Sequence, residues 1–116
     1  MVDLDTQMKI DTLIDFSYDK TIERINAIED ADESIVYRTM GMVSKNEASW
    51  YLAYINYYCG CMEGILFTRF LEEFSRYPSP SENVFIADTI SSKFEKLKQI
   101  LLDISKKQFK KHHNNI

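Results

Sequence analysis

The sequence predicts an all-α protein, an antiparallel helical bundle of three long helices plus one short helix, folded as a single domain over residues 1–116. Three observations point there. Apolar residues recur at steps of three and four, and no stretch sustains the period-two alternation of a half-buried strand. Three glycines and two prolines leave little turn chemistry for an all-β fold. Apolar residues make up 45% of the chain and aromatics 13%, enough for a core and too rich for a disordered chain.

The first helix is expected from about Asp3 to Ile28, with Leu4, Met8, Ile14, Tyr18, Ile22, Ile25 and Ile28 near one face. Acids crowd its first turns, where the helix dipole is positive. The run EDADES, residues 29–34, interrupts the stripe, either as a loop or as a polar stretch of one continuous helix. Its acids Glu29, Asp30, Asp32 and Glu33 lack the alternating ligands and the glycine of a calcium loop, so a solvated acidic turn is expected. Ile35, Val36, Thr39, Met40 and Val43 resume at helical spacing, giving a short second helix ending near Gly41.

The third helix has a marked start. Ser44-Lys45-Asn46-Glu47 fits a capping box with Ser44 as the cap, and Val43 and Ala48 stand where a hydrophobic staple would. Nothing then stops the helix before Tyr77-Pro78, a run of about thirty residues or roughly 48 Å. After that break Ser79 is the expected cap, Pro80 the first helical residue and Glu82 the third. Ile86, Ile90, Phe94, Leu97, Leu101 and Ile104 then form one apolar stripe.

The central segment ASWYLAYINYYCGCMEGILFTRF, residues 48–70, decides the architecture. Fifteen uncharged residues separate Glu47 from Glu63, fewer than the roughly twenty a membrane span needs. Asn56, four tyrosines and the lack of flanking Lys/Arg clusters also argue against a membrane. Leu52, Ile55, Cys59, Met62, Leu66, Phe70 and Phe74 make one apolar face, and Trp50, Tyr54, Tyr57, Cys61, Ile65 and Leu71 make another beside it. A helix apolar over two faces must be covered on both, so it is expected between the first and last helices. Short connections make sequential neighbours antiparallel, which leaves the first and last helices parallel. Residues 1–33 hold ten acids and three bases and residues 93–116 seven lysines and two acids, and that arrangement brings acidic 29–33 near basic 106–111. Gly60 and Gly64 share the remaining face with Asn56, as where another backbone approaches closely.

The N-terminus lacks the basic and apolar regions of a signal peptide, and a cytoplasmic protein is expected. Cys59 and Cys61 then read as reduced thiols. They diverge by roughly 200° on a helix, so they cannot share a metal with His112 and His113, which fall in a tail expected to fray. No metal or cofactor is expected. The net charge of −4 argues against a wholesale nucleic-acid coat.

The function expected is that of a non-enzymatic protein–protein interaction module: a small regulator, adaptor or inhibitor that occupies a partner surface. An inhibitor carried by a virus or mobile element is one version. Trp50, Tyr51, Tyr54, Tyr57 and Tyr58 are the expected anchors, because aromatics are enriched in contact surfaces, and Glu63 joins them as the lone charge of that segment before Arg69. So many aromatics on long helices also predict a homodimer. Two alternatives stand beside this reading. In one, Lys106, Lys107, Lys110 and Lys111 of the basic last helix contact nucleic-acid phosphates. In the other, Glu63 is the acid or base of a small enzyme.

Overall fold

The computed structural model describes residues 1–31 and 33–114 and forms four helices: α1 Leu4–Asp30, α2 Ile35–Val43, α3 Glu47–Phe74 and α4 Pro80–Asn114. There is no strand among the described residues. The bundle measures 54 × 22 × 19 Å. α3 lies between α1 and α4, which pack on it more extensively than on each other, and α2 leans on both α3 and α4. Contacts between α1 and α4 advance in the same direction along both: Asp15 pairs with Lys93 at 3.1 Å, and Glu29 meets Gln108 near the far end. The two helices are parallel, as the short connections require. No helix among the described residues is long and apolar enough to cross a membrane.

α1 begins at Asp3, whose Oδ1 accepts from the Thr6 amide at 2.8 Å. Its buried face runs through Ile10, Ile14, Ser17, Thr21 and Ile25. Leu4 and Met8, expected on that face, stand exposed. The stripe continues through small polar residues instead. Ser17 and Thr21 donate to the carbonyls of Leu13 and Ser17 at 2.7 and 2.8 Å, so their hydroxyls are satisfied within the helix.

The EDADES run does break the chain: α1 stops at Asp30. Ser34 caps α2, accepting from the Val36 and Tyr37 amides at 3.1 and 3.2 Å. Asp32, counted above with the acidic turn, lies outside the described residues.

α3 is capped by Asn46, whose Oδ1 accepts from Ala48 and Ser49, and not by Ser44. Ser44 is engaged in ending α2, its amide donating to the Met40 carbonyl while its own carbonyl accepts the Trp50 indole N–H at 3.0 Å. Val43 is correspondingly exposed and forms no staple.

The buried face of α3 differs from both expected faces. Trp50, Tyr54, Tyr58, Met62, Leu66 and Phe70 are all fully buried, at steps of four. Each such step advances about 40° beyond a full turn, so the stripe winds from one expected face into the other. Leu52 and Leu71 are left exposed. Among the described residues no other helix comes within 4 Å of where a Cβ on Gly60 or Gly64 would sit, so the close approach expected there is not made.

α3 ends at Phe74, before the expected Tyr77-Pro78 stop, because Ser75 takes the left-handed conformation (φ 55°) and donates its amide to the Leu71 carbonyl at 2.8 Å. The α4 start matches the expectation. Glu82 donates its amide to Ser79 Oγ at 3.2 Å, and Ser79 returns its amide to Glu82 Oε1 at 2.8 Å. The expected α4 stripe packs inward, with Ile86, Ile90, Leu97 and Leu101 buried and Phe94 and Ile104 partly so.

Candidate functional site

The four helices converge on one buried carboxylate. Glu29, in the last turn of α1, is 5% exposed, and the solvated turn expected there is corrected accordingly. From α3, the Tyr54 hydroxyl donates to Glu29 Oε1 at 2.9 Å and the Tyr58 hydroxyl donates to Oε2. From α4, Gln108 Nε2 donates to the Glu29 carbonyl at 3.1 Å and to Oε1 at 3.5 Å. The hydroxyl of Ser34, the α2 cap, lies beside both phenols. Burial first, and then the neighbouring carboxylate, push both phenols far above the usual tyrosine range, so they remain donors. None of these partners is a cation. The Gln108 Oε1 is itself buried with no hydrogen-bond partner among the described residues.

Beside this junction an aromatic cluster clamps α2 to α4. Trp50 stacks on Phe109, with ring centroids 5.6 Å apart, and Tyr37 stands edge-on to both Trp50 and His112. The His112 ring lies over Gly41, where an added Cβ would sit 2.5 Å from its Cε1. His112 and His113 are half-buried on a helix that persists to Asn114, so the expected frayed tail is also corrected. Docking on Trp50 holds that end of α4 in place.

The outer side of α2 is apolar too. Ile35, Met42 and Val43 are 59%, 87% and 69% exposed. They recur at helical spacing with exposed Thr39, beside a groove of about 240 Å³ lined by Ile35, Val36, Thr39, Met40, Ala53 and Tyr57.

The residues expected to anchor a partner separate into two groups. Trp50, Tyr54 and Tyr58 are fully buried, so they build the core and offer no contact surface. The winding stripe of α3 is the reason. Tyr51 and Tyr57 are half-buried, and Tyr57 lines the α2–α3 groove while its hydroxyl accepts from Arg24 Nη2 at 3.2 Å. Glu63 is exposed on the rim of a separate α3–α4 groove that includes Phe67, Ile86, Ile90 and Phe94. Lys106, Lys107 and Lys110 are exposed on α4, and Lys111 is half-buried. Cys59 and Cys61 are free half-buried thiols, and burial pushes the Cys59 thiol up from its ordinary value. Among the described residues, no group of three or more His, Cys, Asp or Glu is placed to hold a metal ion.

Compared with protein-family models, with curated proteins and with solved structures, the chain matches none.

Two features escaped the sequence reading. The α2 face had a signal: IVYRTMGMV carries one charge, Arg38, and is apolar nearly all round. Glu29 had none, because its partners lie 25, 29 and 79 residues away.

Proposed function

We propose that the protein is a non-enzymatic interaction module of the cytoplasm: a small regulator, adaptor or inhibitor that docks a partner protein on the outer face of α2 and the groove beside it. The observation that supports this most is α2 itself. A helix apolar nearly all round is ordinarily covered on every side, yet this one leaves Ile35, Met42 and Val43 in solvent. Clustered exposed apolar side chains beside an apolar groove are the surface pattern of a binding face. The complementary partner presents an apolar ridge, as an amphipathic helix does, with Tyr57 as the aromatic anchor on this side. A second copy of the chain is one such partner, and sedimentation of the pure protein reads that directly.

The test is affinity capture from the native cell followed by mass spectrometry, with the parent chain compared against Met42→Glu and Ile35→Glu. Both residues are exposed, so both variants retain the fold and its helical circular dichroism. Each substitution is expected to reduce capture of a specific protein by about tenfold or more. An unchanged set of captured proteins refutes the reading.

The nucleic-acid alternative draws support from the continuity of α4, which keeps Lys106, Lys107 and Lys110 exposed on a formed helix. An electrophoretic shift at low salt that disappears when these three become alanine separates it from the first reading.

A further inference from the structure

We infer that the face shared by α3 and α4 binds a second copy of this chain, with α3 crossing α3 antiparallel about a two-fold axis near Gly60. The buried stripe of α3 leaves an opposite stripe bare: Leu52, Asn56, Gly60, Glu63, Phe67 and Leu71 are all exposed. On its α4 side runs a groove of about 400 Å³, walled by Phe67, Ile86, Ile90 and Phe94. A central helix with three large apolar side chains and an apolar groove on one face has surface left to cover.

Two observations select a second copy as the cover. First, the stripe is self-complementary. Its steps are four, four, three, four and four, the same read from either end. Antiparallel pairing of two copies sets Leu52 against Leu71 at both ends, Asn56 against Phe67 inside them, and Gly60 against Glu63 at the centre. Among the described residues no other helix comes within 4 Å of a Cβ on Gly60 or Gly64, so a second backbone has room at that centre. Second, the charges match the same axis. Glu63 and Lys98 of α4 both lie near enough to Cys59 for their charges to act on its thiol. Placing Glu63 opposite Gly60 therefore brings it beside Lys98 of the other copy, and the axis makes that pair twice. Among the described residues Glu63 has no ion pair of its own, and Lys98 has a loose one, 3.8 Å from exposed Glu95. The contact is about 28 Å long and two helices wide, on the order of 1,100 Å² in all, which suits a reversible dimer.

The test is sedimentation equilibrium of the full chain from about 1 to 300 µM, the range over which a contact of this size dissociates. The parent chain is expected to dimerise. Glu63→Lys and Lys98→Glu each set like charges opposite one another and are expected to weaken the dimer about tenfold or more. Both reversals together restore the pairing and are expected to return the affinity to within about threefold of the parent. Both side chains reach solvent, and unchanged helical circular dichroism checks that the fold is kept. Met42→Glu, on the α2 face, is expected to leave the dimer as it is, which separates this contact from the docking proposed above. The inference is overturned by a chain that stays monomeric throughout, or by a dimer indifferent to both single reversals. A double reversal no better than the singles also overturns it, as does a dimer lost in Met42→Glu, which places association on α2.

Discussion

Glu82 and Glu29 are buried to the same degree, each 5% exposed, at opposite ends of the bundle, and they are held in opposite ways. Glu82 receives both ends of the Arg76 guanidinium at 2.6 and 2.8 Å and the Ser79 amide at 2.8 Å, all from within six residues. Glu29 receives two phenols and an amide from two other helices, and no cation among the described residues. The first is a local solution that forms with its corner. The second exists only when the whole bundle has assembled. Equal burial therefore does not mean equal dependence on the fold, and the two sites respond differently to mutation.

The largest effect is expected at the distant network. Glu29→Ala strands the Tyr54 and Tyr58 phenols in the core, and urea unfolding should show a loss of about 3–5 kcal/mol. The comparison fails if that loss is no greater than for Glu82→Ala. The phenols give a second readout. Their folded values lie above the unfolded value of 10.0, so the stability they contribute is complete below that pH and is lost as pH rises beyond it. A spectrophotometric titration should retain two protonated phenols well past pH 10 until the chain unfolds.

Glu82→Ala should cost less, about 2 kcal/mol, by removing one cap and one charged partner. Its acid dependence sharpens the contrast. The Arg76 guanidinium, with the Ser79 amide and hydroxyl, holds the Glu82 carboxyl at about 2, below its ordinary 4.5. The stability it contributes is full above pH 4.5 and is lost as pH falls toward 2. A Glu82→Gln variant should lack this part of the acid denaturation profile.

Two smaller changes probe the corners beside each carboxylate. Gly41→Ala drives a methyl into the His112 ring, and thermal unfolding should report a loss of about 1–3 kcal/mol together with weaker docking of the last α4 turn. Ser75→Gly relieves the left-handed backbone at the α3 end and should raise stability by about 1 kcal/mol or less.

What the sequence made legible follows the same division between near and far. Ser79, Pro80 and Glu82 were readable because a capping box is complete within four residues, and the α4 stripe because its period repeats within one helix. The winding face of α3 was harder to read, since every residue near it is aromatic or aliphatic, and only the packing of α1 and α4 selects among them. From sequence alone Trp50, Tyr54 and Tyr58 therefore read as contact residues. Ser17 and Thr21 were missed in α1 because a hydrophobic pattern passes over small polar residues that bond their own helix. Glu29 was grouped with its acidic neighbours, and nothing local distinguishes it from Asp30. The outer face of α2 was legible in composition but is only nine residues long, and that brevity concealed it.

The span between Glu29 and its amide partner also sets an order of events. A ribosome places this carboxylate in the growing chain 79 positions before the side chain of Gln108 that completes its surroundings. Through that interval only the α3 phenols can reach the acid, and the backbone at the end of α1 waits for α4 to close over it. Assembly finishes at this junction, and a nascent chain halted short of residue 108 lacks the amide that closes over the end of α1.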